Sequence, residues 1–559
     1  MSRAAFVSLL LVGCQNPGKD PMTAAQELRA LCDDCWEATL RENPTYATYL
    51  GDFRYNDRLS DLSETGRVRR HRLNEGFLSR LRSLPLDALA ENDRVTADIL
   101  RLQLEQSLEE ERYKFWQWDV DQMGGPQVDF PQLLNFHPLS DEKGLEARFR
   151  AFGPYLDQYL DNLRAGVREG RVAMKAAVER VIGQLQGLLA TAEEKSPFAA
   201  KPSLLPAIRE SVYPAYRRML RYLEDEYLPQ SRARDVGLWA LPDGAEAYRF
   251  RIRLHTTTDL SAEEIHRIGL EELRSIQDEM RTIAKGDLKA FLEKLKKDPK
   301  NFFSSREDLL ETARRELAKA NAKLPQWFKR LPKNECEVKA IEDYREKDSV
   351  AAFYYQPDEK LTRKGIFYAN TYEATARPRF NMPALAIHEA VPGHHLQIAL
   401  ALEIEGLPRF RRQAGFTAFV EGWGLYSERL GDEMGLYEDD LSRFGMLTYQ
   451  AWRACRLVVD TGLHAMKWTR EQAIAFFMEN LALTQTEVLN EVDRYIIWPG
   501  QALAYMVGKR EILALREEAK KAMGSRFDIK EFHDVVLRNG AIPLTTLRRL
   551  VHEWANIPD

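Results

Sequence analysis

Past its first twenty-two residues the chain has no run of eighteen apolar residues. No later segment is long enough to cross a bilayer as a helix, and the body is expected to be soluble. Cysteine is scarce, with five in 559 residues, too few for a disulfide scaffold. Charge of either sign is not in large excess. Eighty Lys and Arg against 85 Asp and Glu leave a formal net charge of −5, which gives no general nucleic-acid-binding surface. Repeats and low-complexity tracts are missing too. Histidine numbers only ten, yet three of the ten fall in one stretch of eight residues, "HEAVPGHH" at 388–395.

What is present begins at the N-terminus. "MSRAAFVSLLLVGC" places Arg3 before an apolar run from Ala4 to Val12. That run is too short to span a membrane and reads as the core of a secretory signal. Leu11-Val12-Gly13-Cys14 resembles the bacterial lipoprotein box, in which the cysteine is lipidated and becomes the first residue. Gln15, rather than Asp, then favours the outer membrane, with the body facing the periplasm. The expected organisation is a signal peptide at 1–13, a lipidated tether at 14–22, an N-terminal helical region at 23–333 and a catalytic region at 334–559, the last two as one continuous fold. Cys32-Asp-Asp-Cys35 has redox-motif spacing but no βαβ context, so a local disulfide or two plain thiols is the expectation.

Most of the chain predicts helix. Stretches near 24–41, 65–82, 87–114, 143–193, 205–226, 261–284 and 305–322 repeat apolar residues at three- and four-residue steps. "SAEE" at 261–264 predicts a capping box. The segments 43–57 and 123–140 read as turn-rich connections. After residue 334, "ECEVKAIEDY", "AAFYYQP" and "GIFYANTY" are the best strand candidates. The fold class expected is mainly α, a large helical body with a small antiparallel sheet next to a metal-binding helix.

The histidine-rich stretch resembles H-E-x-x-H with Pro392 where the second histidine belongs. On an unbroken helix, His388 and His395 would stand about 10 Å apart along the axis, too far for one zinc. Pro392 breaks the helix and Gly393 tolerates unusual dihedrals. Treated as a bulge, Val391-Pro392 brings His394 over His388. His394 is then the second ligand, and His395 points away as a hydrogen-bond donor behind the site; the reverse assignment is the alternative. A third ligand should come from the next helix. His394 lies about 18 Å before the turn at Gly406 and Glu421 about 22 Å after it. Glu428 overshoots. Glu421, among Phe416, Phe419, Val420 and Trp423, is a carboxylate in apolar company that a metal would satisfy. The expected centre is one zinc on His388, His394 and Glu421, with Glu389 as general base.

Together "FYYQP", "GIFYANT", "HEAVPGHHLQ", "EGWGLYSERL", "RLVVDTGLH" and "EVDRYIIWPGQALAY" resemble the bacterial domain-of-unknown-function 885 family, many of whose members are lipoproteins by name. More distantly the layout is similar to helical gluzincin peptidases of the angiotensin-converting enzyme, thimet oligopeptidase and thermostable carboxypeptidase type. The resemblance implies a substrate backbone along an edge strand, with Ile366–Thr371 the candidate, Tyr368 and Asn370 among its contacts. It also implies an oxyanion donor from the C-terminal part, Tyr495 or Tyr505. Arg456, Asp460 and His464 are spaced four apart, either as a salt-bridge ladder or with Asp460 orienting His464 toward the site. Arg494 and Gln501, on one face if the helix persists through Pro499, are the expected contacts for a substrate carboxylate. The function expected is a lipid-anchored zinc metallopeptidase acting on short peptides, as a carboxypeptidase or dipeptidyl carboxypeptidase. The rivals are a zinc amidase, a non-haem iron enzyme on the same two-His-one-carboxylate set, and a metal-free binding lipoprotein. Contact with the membrane is expected through the lipid alone.

Overall fold

Helix follows from the three- and four-residue apolar periodicity almost everywhere that periodicity occurs. A computed structural model describes residues 22–343, 346, 349–481 and 483–558. The expected signal peptide, Cys14 and the tether as far as Pro21 lie outside the described residues. Helices run at Ala24–Glu42, Glu64–Arg82, Glu91–Glu110, Glu142–Glu169, Lys175–Ala190, Ala262–Ala284 and Arg306–Trp327. The capping box is formed: the Ser261 hydroxyl accepts from Glu264 N–H, while the Glu264 carboxylate accepts from Ser261 N–H. Such caps contribute about 0.5–2 kcal/mol. The two turn-rich connections are not bare loops. They hold the short helices Pro44–Tyr49 and Pro126–Gln132, each opened by a proline at its start, where the missing N–H costs nothing.

One apolar core joins residues from Leu28 to Ala555 and includes the site helices. A second gathers residues 120–228, with Phe130 stacked on Phe152. No described helix is long and apolar enough to cross a membrane.

The sheet has three strands, β1 (Cys336–Ala340), β2 (Ala352–Tyr355) and β3 (Gly365–Ala369), in the order β1-β3-β2. It is mixed rather than antiparallel. The short connection 356–364 folds β3 back antiparallel to β2, and β1 takes the other edge of β3, parallel to it. This corrects the assignment of Ile366–Thr371 as an edge. β3 is the central strand, its ladder taken on both sides, and β1 and β2 are the edges. Asn370 is therefore not a substrate contact: its amide nitrogen donates to the carbonyls of Glu346, Ser349 and Val350. Tyr368 packs on Phe353 and Tyr355 across the sheet.

Cys32 and Cys35 are free thiols in the Ala24–Glu42 helix, both buried. Burial pushes the Cys32 thiol up to about 12, the opposite of what redox chemistry requires.

Six helices carry or frame the histidine-rich segment: α1 (Met382–Glu389), α2 (His394–Leu402), α3 (Thr417–Glu433), α4 (Asp440–His464), α5 (Gln485–Ile497) and α6 (Ala504–Met523). The segment 409–433, continuously rich in helix-forming residues, is not one helix. Arg409–Arg412 forms a single turn and α3 restarts at Thr417.

Candidate metal centre

The sequence 388–395 folds as two helices meeting at a tight turn, a sharper break than a bulge. α1 ends at Glu389, Ala390 leaves helical space, and α2 begins at His394. Gly393 N–H donates to the Ile387 carbonyl and His395 N–H to Ala390. A side chain on Gly393 would stand 2.0 Å from the His388 carbonyl, so only glycine lets the chain double back this closely. From α3, Trp423 Nε1 and Ser427 Oγ both donate to the Pro392 carbonyl, which a regular helix would have satisfied internally.

The turn stacks the rings of His388 and His394 edge to face at 4.7 Å between centroids. His388 Nε2 lies 3.5 Å and His394 Nε2 3.4 Å from the same oxygen, Glu421 Oε2. One ligand atom from each of the three residues lies within 4.8 Å of the others. Tetrahedral zinc with bonds of ~2.0–2.1 Å separates its donors by about 3.4 Å, so the donor set fits the ion. His388, His394 and Glu389 are 3%, 8% and 9% exposed.

The sequence reading missed what holds His388. Its Nδ1 donates to Glu428 Oε1 at 2.8 Å, which fixes the ring orientation and makes Nε2, facing Glu421, the nitrogen that would bind a metal. Glu428 is fully buried and also accepts from Gln450 Nε2. Glu421 and Glu428 are two helical turns apart on α3, and the His388 ring spans them, lying over Gly424. A Cβ at Gly424 would meet His388 Cε1 at 2.8 Å. The seven-residue spacing E-x-x-G-x-x-x-E was the available signal. Burial opposes charge on His388, but the carboxylates of Glu421 and Glu428, accepting hydrogen bonds from the ring, outweigh it and raise the ring to about 9. Burial likewise opposes charge on Glu421, and the two histidines hold it well below the carboxylate range. His394 Nδ1 is buried with no hydrogen-bond partner.

His395 turns the other way. It accepts at Nδ1 from Tyr354 on β2 and donates from Nε2 to the Asn334 carbonyl. Its role is to tie α2 to the sheet, with no hydrogen bond to a donor of the cluster. Burial lowers it to about 4. The Glu389 carboxylate, at the end of α1, has no hydrogen-bond partner among the described residues. Another histidine sits close by: His255 Nδ1 lies 3.2 Å from the Thr417 hydroxyl, one turn before Glu421.

Of the C-terminal candidates, Tyr505 comes to the site, its ring 6.4 Å from that of His388 and nearly parallel. His464 does not. Its Nδ1 accepts from Leu238 N–H and its Nε2 donates to the Tyr495 carbonyl. Both nitrogens are spent on backbone, so the catalytic assignment of His464 is withdrawn. Asp460 does not orient it, and no Arg456–Asp460–His464 ladder forms. Asp460 accepts from Tyr248 OH and Gly500 N–H, while Arg456 donates to Tyr495 OH and Glu491. Tyr495 is equally committed: its hydroxyl donates to Glu491 and accepts from Arg456 and Trp452, which removes it as an oxyanion donor. α5 stops at Ile497, before Pro499, so Arg494, Gln501 and Tyr505 are not one stripe. Arg494 donates to Glu491 and Gln501. Both terminal nitrogens of Arg494 are thus engaged within the protein, and the Gln501 carbonyl oxygen is engaged with it.

The family described as "Bacterial protein of unknown function (DUF885)" matches residues 44–551. Among solved structures, "The crystal structure of the putative lipoprotein from Colwellia psychrerythraea" is similar at a TM-score of 0.91 and 29% identity, covering 96% of this chain and 100% of that one. "The structure of a putative lipoprotein of unknown function from Shewanella oneidensis" gives 0.75 and 22%, covering 95% and 100%. An M32 carboxypeptidase from Deinococcus radiodurans R1 aligns at 0.39 and 12%, over 95% and 99%. No curated protein matches the chain.

Proposed function

Since this chain belongs to the DUF885 family, bacterial proteins of unknown function, no activity comes with the fold, and we propose one from the site: a zinc-dependent metallopeptidase that hydrolyses short peptides. The observation that carries it is the convergence of His388 Nε2 and His394 Nε2 on Glu421 Oε2 at zinc-like donor spacing, with Glu389 next in sequence to a ligand. When bound, zinc supplies a Lewis acid and a more acidic water. Glu389 takes the proton from the attacking water and returns it to the departing amine. Its freedom from other hydrogen bonds suits that traffic. Glu428 keeps His388 in the ligating tautomer and strengthens its donor nitrogen. Tyr505, beside the His388 ring, supplies the hydrogen bond to the oxyanion.

The burial of all these groups supports a substrate that is thin and extended, because a folded protein would have to unfold to reach them. Lipid anchoring in the cell envelope is proposed from the Cys14 box and agrees with the lipoprotein names of the two similar structures.

The test is digestion of a peptide library by purified protein, read by mass spectrometry, with chelator and with zinc restored. The expected result is cleavage of short peptides that chelation abolishes and zinc restores. Cleavage that survives chelation would sink the metal; cleavage of a folded protein with none of peptides would sink the substrate class.

A further inference from the structure

Arg453, on α4, is 6% exposed, and its Nε and Nη1 are buried without a hydrogen-bond partner. No carboxylate pairs with it among the described residues. Its guanidinium lies instead among rings, 4.7 Å from the centroid of Tyr449, 5.2 Å from Trp452 and 6.0 Å from Tyr505. Two more buried arginines follow from it in a chain. Arg456, one turn on, lies 4.4 Å from the same Tyr505 ring, and Arg494 faces it across Glu491. Glu491 bonds both of these but not Arg453, and Arg456 Nη1 and Arg494 Nε are also left unpartnered. A guanidinium removed from water with no anion is costly, and side chains held so are normally paired. Among the described residues no such partner is present.

The position says what that partner is. Gln450, three residues before Arg453 on α4, bonds Glu428, which bonds His388. The Tyr505 ring that Arg453 overlies is 6.4 Å from the His388 ring. Laid end to end, those spans hold the Arg453 guanidinium within about 12 Å of His388, at most the reach of three or four residues of extended chain.

We propose that Arg453, rather than Arg494, is the receptor for the free C-terminal carboxylate of the substrate, with Arg456 adding positive charge behind it. Arg453 offers a vacant planar fork suited to a carboxylate, on a bed of aromatic rings that fixes its plane. The enzyme would then release a short piece from a peptide's C-terminus, of no more than about three or four residues. This rests on the peptidase reading of the metal centre, and its experiment is chosen to fail separately.

Binding is measured by calorimetry in the zinc-loaded Glu389→Gln protein, so that peptide is not consumed, with acetyl-Ala-Ala-Phe and with its C-terminal amide. The acid should bind at least tenfold more tightly than the amide. Arg453→Met should erase that preference while leaving the unliganded melting temperature unchanged or higher, since it removes a buried unpaired charge; a structural arginine would lower it. Arg453→Lys, which keeps the charge but not the fork, should fold and lose most of the preference, and it decides the matter if the Met variant does not fold. Equal binding of acid and amide, no binding of the acid, or a preference that survives in the variants overturns the proposal. Failure of the parent enzyme to cut either peptide would count against the peptidase reading alone, because the binding comparison needs no turnover.

Discussion

His388 is held from both sides, by Glu421 at one nitrogen and Glu428 at the other, and this determines which substitutions should matter. His388→Ala, His394→Ala and Glu421→Ala should each lose bound zinc, and Glu428→Gln should weaken it about 10- to 100-fold. His395→Ala should keep it, because both its nitrogens serve Tyr354 and Asn334. Elemental analysis of each purified variant checks the set; zinc retained without His394 and lost without His395 would reverse the assignment. A second residue carries a pH signature away from the metal. Burial raises the Asp460 carboxyl to about 7, partly offset by hydrogen bonds from Tyr248 and Gly500. An ordinary Asp titrates at ~3.9. The folded state therefore holds a proton that the unfolded state releases, and this stabilisation is full below ~3.9 and lost as pH rises through 7. Asp460→Asn keeps an acceptor for Tyr248 without the charge. Its melting temperature relative to the parent should rise between pH 5 and pH 8; a difference constant over that range contradicts the burial argument.

Among the elements, α1, α2 and α3 form one device. The turn at Val391–Gly393 stacks two histidines, and α3 lays Glu421, Gly424 and Glu428 under them. Much of this was legible. The three histidine-region ligand candidates and the helices flanking them follow from periodicity, from proline's effect on a helix and from rise per residue. Axial height does not reveal Glu428, because its side chain and that of Glu421 lean toward each other along α3 and the His388 ring closes the remaining gap through its two nitrogens. His464 and Tyr495 misled for a different reason. Their spacing shows which face they share but not what packs on that face, and Leu238, more than two hundred residues earlier, is what meets His464. The sheet order was likewise invisible, since strand pairing is not written in strand composition. Gly424 gives a test at this scale. Alanine there is the better helix former by ~1 kcal/mol, yet its methyl would press on the His388 ring. Gly424→Ala should lower zinc affinity at least tenfold, measured by competition with a chelator, while the metal-free melting temperature holds or rises. Unchanged affinity would show that the ring need not lie over that position.

The described residues combine a long helical body, one small sheet and a centre buried in the main core, and the sequence preceding them carries the Cys14 lipoprotein box proposed as the anchor. Cys14→Ser should shift the protein from the membrane fraction to a soluble or unprocessed form, with the mature N-terminus read by mass spectrometry; an unmodified Cys14 in the parent would remove the anchor. The whole body is organised, on this account, to let an extended peptide end reach Glu389 and a metal while excluding folded chains. The most direct measurement is therefore the turnover of a short peptide by zinc-loaded Glu389→Gln against the zinc-loaded parent. That exchange keeps the side chain's shape and removes its ability to take a proton. With equal zinc content, the variant should be slower by about 10²–10⁴-fold. Turnover equal to the parent's would contradict the account.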